Sequence, residues 1–138
     1  QEIRLLGSYI LLDLGSMAFP DIEKVLEQCQ ELIIPLDAFP PTVQRTRILL
    51  ETLKDFGFGK NKPITLVSYK RARSETELSM SQLQDMAGQP ISLRFPSAPE
   101  TAFNANLHSV PVVTHQPDGS LALQFGALAD TIVQRVGK

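Results

Sequence analysis

Asp13 closes the apolar run Ser8-Tyr9-Ile10-Leu11-Leu12, and no other side chain of this sequence is better placed for chemistry. The run reads as a buried parallel strand, and in open α/β sheets ligands bind outside the C-terminal tips of such strands. A carboxylate there suits a divalent cation, Mg²⁺ above all, held through water beside a phosphate. Gly15 lies on the loop that follows, on the ligand side. Asp37 ends a second apolar run, and the basic loop Lys70-Arg71-Ala72-Arg73 follows a third. These groups could meet a phosphate or an acidic partner at the same end of a sheet. Each also has a plainer reading: a cap or loop acid for Asp13 and Asp37, a solvated turn for the three cations.

Other groups offer less. Gly57-Phe58-Gly59-Lys60 has a phosphate-loop composition but follows a helix and precedes a strand, the reverse of the order a phosphate loop needs. It reads as a helix stop. Cys29 has no second Cys or His near it in sequence and reads as a small core residue, with no disulfide available to it within the chain. His108 and His115 lack companions for a metal site, and two isolated histidines make no case for a Ser-His-Asp arrangement. A formal charge of −2 gives no general basic field, and the phenylalanines do not alternate with cations, so nucleic-acid binding lacks support. No apolar run approaches the roughly 20 residues that cross a bilayer, and no signal peptide is visible. The expected compartment is the reducing cytoplasm.

The elements that would position these groups alternate regularly. With 138 residues, 43% of them hydrophobic, the chain has enough material for one domain with a proper core. After the first strand, Pro20 opens a helix that runs to about Gln30, with Asp21 and Glu23 suited to its positive start. Leu32–Leu36 is a second strand. Pro40-Pro41 starts a longer helix with Val43, Thr46, Leu50 and Leu53 on its inner face, stopped by Gly57. Ile64–Tyr69 is a third strand. Ser79 and Gln82 form a capping box for a helix that closes at Gly88, and Ile91–Phe95 is a fourth strand. Ser97 and Glu100 form a second box, opening a helix to about Leu107. Val110–Thr114 is compatible with a short edge segment. The last helix carries Leu121, Phe125, Leu128, Ile132 and Val136 on one face. Strands separated by helices predict right-handed βαβ units and a three-layer, mainly parallel, Rossmann-like sheet.

This succession resembles the C-terminal half of the ParA/MinD family of deviant P-loop ATPases, and within it the CpaE-like pilus-assembly branch. The resemblance runs from about Leu5 to Val136. Its landmarks are ILLDLGS, LIIPLDAFPPTVQRTRILLETL, YKRARSETELSMSQLQDMAG and NANLHSVPVV. It implies a P-loop NTPase-type fold, with Asp13 as the Walker B acid that orders Mg²⁺. Ser68 and Lys70 would lie near the base of ATP, and Gly15, Asp37 and Arg71 on the ligand side.

The sequence also departs from the family. It has no G-x-x-x-x-G-K-[ST] loop, nor the family's variant with an early Lys, so it has no row of backbone N–H groups to cradle phosphates. Ser68 stands where the family commonly has Asn, and Leu14-Gly15-Ser16 replaces its proline-rich turn. Two expectations follow. In one, this is part of a longer ATPase domain that binds ATP and Mg²⁺ and acts as a localisation or assembly switch, while the 138 residues alone are not catalytic. In the other, the chain is a degenerate interaction or regulatory module that has lost nucleotide binding. A sheet cut from a larger fold would expose apolar surface, so self-association is expected, as is a protein partner in a localisation, secretion or pilus machinery.

Overall fold

The computed structural model describes residues 7–15, 19–71 and 76–136. Among the described residues three parallel strands form the sheet in the order β1 (Leu32–Asp37), β2 (Ile64–Tyr69), β3 (Leu93–Phe95). Leu32 pairs with Ile64 and Asp37 with Tyr69, so all three tips lie at one end. The helices are α1 (Phe19–Gln28), α2 (Pro40–Leu53), α3 (Met80–Ala87), α4 (Pro99–Leu107), α5 (Val112–His115) and α6 (Ser120–Val136). Helices cover both faces of the parallel sheet, which is the expected layered α/β architecture.

Alternation along the strands divides the core. Leu36 and Leu66 face α2 and α3, where they pack with Val43, Leu50, Leu83 and Ala87. A second cluster joins α1 to the end of α2 through Ile22, Leu26, Leu53 and Phe58. The opposite face carries Ile33, Pro35, Val67 and Phe95, and α6 covers only part of it. Phe125 of α6 meets Phe95 edge-on at 4.8 Å between ring centroids.

Local chemistry sets the boundaries. A 3₁₀ turn, Lys54–Phe56, prolongs α2 and ends at Gly57, whose φ of 82° is the left-handed conformation glycine tolerates. This confirms Gly57–Lys60 as a helix-stop loop. In the same loop Lys62 reaches back 35 residues or more, donating to the carbonyls of Leu26 (3.1 Å) and Glu27 (2.8 Å) at the end of α1. A cation there binds carbonyls of the last turn of α1 and complements the helix dipole. The Ser79–Gln82 capping box forms in both directions, and Gly88 closes α3 in the left-handed region. On the far side, Glu31 Oε1 accepts from Thr65 Oγ1 (2.6 Å) and from Arg135 (3.0 Å), tying the end of α6 to the feet of β1 and β2.

Three expectations are corrected. The apolar run before Asp13 is not a strand: residues 9–14 have no ladder, and Leu11 is 80% exposed. A strand exists only by pairing, and among the described residues none pairs with this run. Only Leu14 is tucked in, against the α1–α2 cluster. The Ser97–Glu100 box does not form; Ala98 occupies the cap position without a side-chain bond, and α4 begins at Pro99. The proline sets the first helical φ itself, one residue later than the box requires. Val112–His115 is a helical turn rather than an edge segment, begun by Pro111 in extended conformation.

Candidate ligand groove at the strand tips

Where α6 leaves the sheet uncovered there is a groove of about 600 Å³. Its floor comes from Ile33 and Pro35 of β1, Val67 and Tyr69 of β2, and Phe95 of β3. Leu121, Phe125 and Leu128 of α6 form one wall, and the segment Pro96–Pro99 leading into α4 forms another. Among the described residues, Lys70 and Arg71, which continue β2 past its tip, are the only charged ones that line it. The groove is an apolar trough with cations at one end.

β2 and β3 hold those cations in place. The Lys70 amide donates to the Phe95 carbonyl at 3.2 Å, extending the parallel ladder one residue beyond the strand. Arg71 donates its backbone N–H to Glu77 Oε1 at 3.3 Å, and its guanidinium is ion-paired with Asp37. Glu77 also lies 3.9 Å from Arg94 of β3. Asp37 is 1% exposed and is the last residue of β1. Its other oxygen accepts from the Phe39 amide at 3.3 Å, which turns the chain into α2. A buried carboxylate needs such a partner, because an uncompensated charge in this position costs several kcal/mol, about 3–5.

The sequence-predicted residues therefore separate into two groups. Asp37, Lys70 and Arg71 come together at the tips of β1 and β2. Ser68 is close in sequence but faces the other way: in register with Leu36 and Arg94, it lies on the α2–α3 face of the sheet. It is buried, and its hydroxyl makes no hydrogen bond among the described residues. Asp13 is exposed and its carboxylate is engaged locally, accepting from the Gly15 amide at 2.9 Å. Gly15 has φ 54°, so this is a short turn closed by the acid two residues earlier. Among the described residues nothing joins Asp13 to the cationic rim. Arg73 and Ser16 lie outside the described residues.

ATP with Mg²⁺ does not fit these side chains by themselves. Among the described residues the groove offers an apolar floor and two cations, but no array of backbone donors for a polyphosphate and no acid in its lining. Among the described residues no three His, Cys, Asp or Glu side chains converge as a metal site. Sequence reasoning missed the apolar walls and the burial of Asp37. The strand-tip acid and the basic loop after the adjoining strand were the visible signal of the ion pair. The groove had none, because it depends on where α6 lands.

No protein-family model matches this sequence, and no curated protein does. Among solved structures, the ParA family ATPase from Chlorobium tepidum TLS matches 72% of this chain at 24% identity and a TM-score of 0.61. The match takes in 40% of that chain, so the protein corresponds to less than half of the ATPase's length. At this identity the likeness speaks to architecture: the described chain is a ParA-like α/β fold.

Proposed function

We propose that these 138 residues are part of a ParA/MinD-like ATPase domain of the CpaE-like kind, without catalytic activity of their own. The ParA-like fold over 40% of an ATPase's length carries this reading. In the longer protein, ATP and Mg²⁺ would be bound with a phosphate loop supplied by residues outside this sequence. Asp13 would order the metal, and Lys70 would border the base. The switch would then act in localisation or assembly, with a protein partner of a secretion or pilus machinery, in the cytoplasm.

The test is binding of a fluorescent ATP analogue, with and without Mg²⁺, to this chain and to the native full-length protein. The chain alone should neither bind the analogue in a Mg²⁺-dependent way nor hydrolyse ATP. The full-length protein should do both, and Asp13→Ala should abolish the Mg²⁺ dependence. Hydrolysis by the 138 residues, or an unchanged Asp13→Ala protein, would sink the proposal.

A second reading, an interaction module that has lost nucleotide chemistry, draws on different observations. Ser68 lies on the sheet face away from the groove, and Asp13 stands on an exposed turn rather than a strand tip. Absence of nucleotide binding in the full-length protein would decide for it.

A further inference from the structure

The groove fits a class of ligand that differs from a Mg²⁺-nucleotide. Its walls and floor are almost wholly apolar, with Val67, Phe95, Phe125 and Leu128 converging, and its volume of about 600 Å³ is typical of small-molecule sites. Among the described residues, the two lining ones that carry charge, Lys70 and Arg71, are both cationic and both at the strand-tip end. Arg71 is more than half exposed although it is paired with the buried Asp37. A guanidinium has five donors in a fixed plane, so one carboxylate does not exhaust it. Asp37 holds the fork at the rim, and among the described residues no other acid is paired with the guanidinium, which leaves N–H groups to meet a second anion.

We propose that the groove binds a free amphipathic monoanion, a straight-chain carboxylate whose hydrocarbon lies on Val67, Phe95 and Phe125 and whose head group meets Lys70 and Arg71. This charge match is specific: a neutral chain would leave the rim unused, and a polyphosphate would leave the apolar floor unused. Asp37 is the positioning residue, acting through Arg71.

The experiment uses 8-anilinonaphthalene-1-sulfonate, itself an apolar body with one anionic group, as a fluorescent probe of the 138-residue chain. Octanoate, decanoate and dodecanoate are added as competitors below their micelle concentrations. The expected result is one probe per chain, displaced more strongly by longer carboxylates, by roughly fourfold per added methylene. Dodecanol should compete poorly. Arg71→Ala leaves the Asp37 carboxylate buried and alone, at a cost to folding; the double variant Asp37→Asn with Arg71→Ala removes both charges. That variant, and Lys70→Ala, should weaken carboxylate binding by about tenfold, and Arg71→Lys should retain most of it. Circular dichroism verifies that each variant is folded.

Probe binding that ignores chain length, or is unchanged in folded Lys70 and Arg71 variants, overturns the proposal. So does a probe signal per chain that falls as protein concentration rises, which would mean that a second copy occupies the groove. Displacement by ATP but not by dodecanoate overturns it as well, and assigns the groove to nucleotide. Lys70 belongs to both proposed sites, so displacement by ATP would favour the nucleotide reading, whereas hydrolysis by the full-length protein is read separately and keeps the failure of one proposal distinguishable from that of the other.

Discussion

Cys29 follows α1 half-buried, and burial pushes its thiol above the ordinary cysteine range, with the Lys62 ammonium pulling partly the other way. The sign is fixed by the charge of the product: the thiolate is the form that burial disfavours and a neighbouring cation favours. At pH 8–9 Cys29 should therefore carry less thiolate than a free cysteine and react more slowly with iodoacetamide. Lys62→Met removes the favourable cation, so the midpoint of the alkylation-rate profile should move to still higher pH. A midpoint that moves down would show that the ammonium does not act on this thiol. The same lysine has structural work in binding two helix-end carbonyls, so urea denaturation of Lys62→Met should show a loss of about 1–2 kcal/mol.

At the scale of the element, two serines three residues ahead of an acceptor look alike in sequence and behave differently in the structure. Ser79 accepts from the Gln82 amide and Gln82 returns the bond; Ser97 caps nothing. Ser79→Ala should cost about 1 kcal/mol in thermal or urea unfolding, and Ser97→Ala only a few tenths. Equal losses would mean that the cap at α3 is not what holds that helix start. This pair shows what sequence can carry. The three strands, the long helix and its Gly57 stop were legible because β-branched runs, helical spacing and a left-handed glycine act locally. The Ser97 cap was misread because Pro99 sets the start of α4 independently of any side chain. The run before Asp13 was misread for a nonlocal reason, since its composition is that of a strand but it has no neighbour. Of the candidate site, the charges at the strand tips were legible, and the groove between them and α6 was not.

The whole molecule carries unfinished surface. Leu32 donates to Pro63, so the residues of β1 with bonds to β2 alternate, and the nitrogen of Pro35 lies on the outer edge. A proline there removes one donor from an edge that would otherwise invite another strand. The exposed Tyr9, Ile10, Leu11 and Leu12 have no such protection. We expect this chain to self-associate through that segment, with sedimentation velocity showing a concentration-dependent increase in mass. Leu11→Asp with Leu12→Asp should return it to a monomer without a change in circular dichroism. A monomer at high concentration before any substitution would contradict this.

The tie between Glu31, Thr65 and Arg135 also sets a schedule. Its two ends are 104 positions apart, so at ordinary translation rates Arg135 emerges about 5–20 s after Glu31. Throughout that interval Glu31 lacks its Arg135 partner, and at the feet of β1 and β2 its side chain is held by the Thr65 hydroxyl without that cation. The sheet can begin to assemble on the ribosome, but it can be locked only after nearly all of α6 has been made. A nascent chain stalled within α6 should therefore remain a substrate for chaperones and proteases, and release from that state should coincide with the arrival of a single arginine.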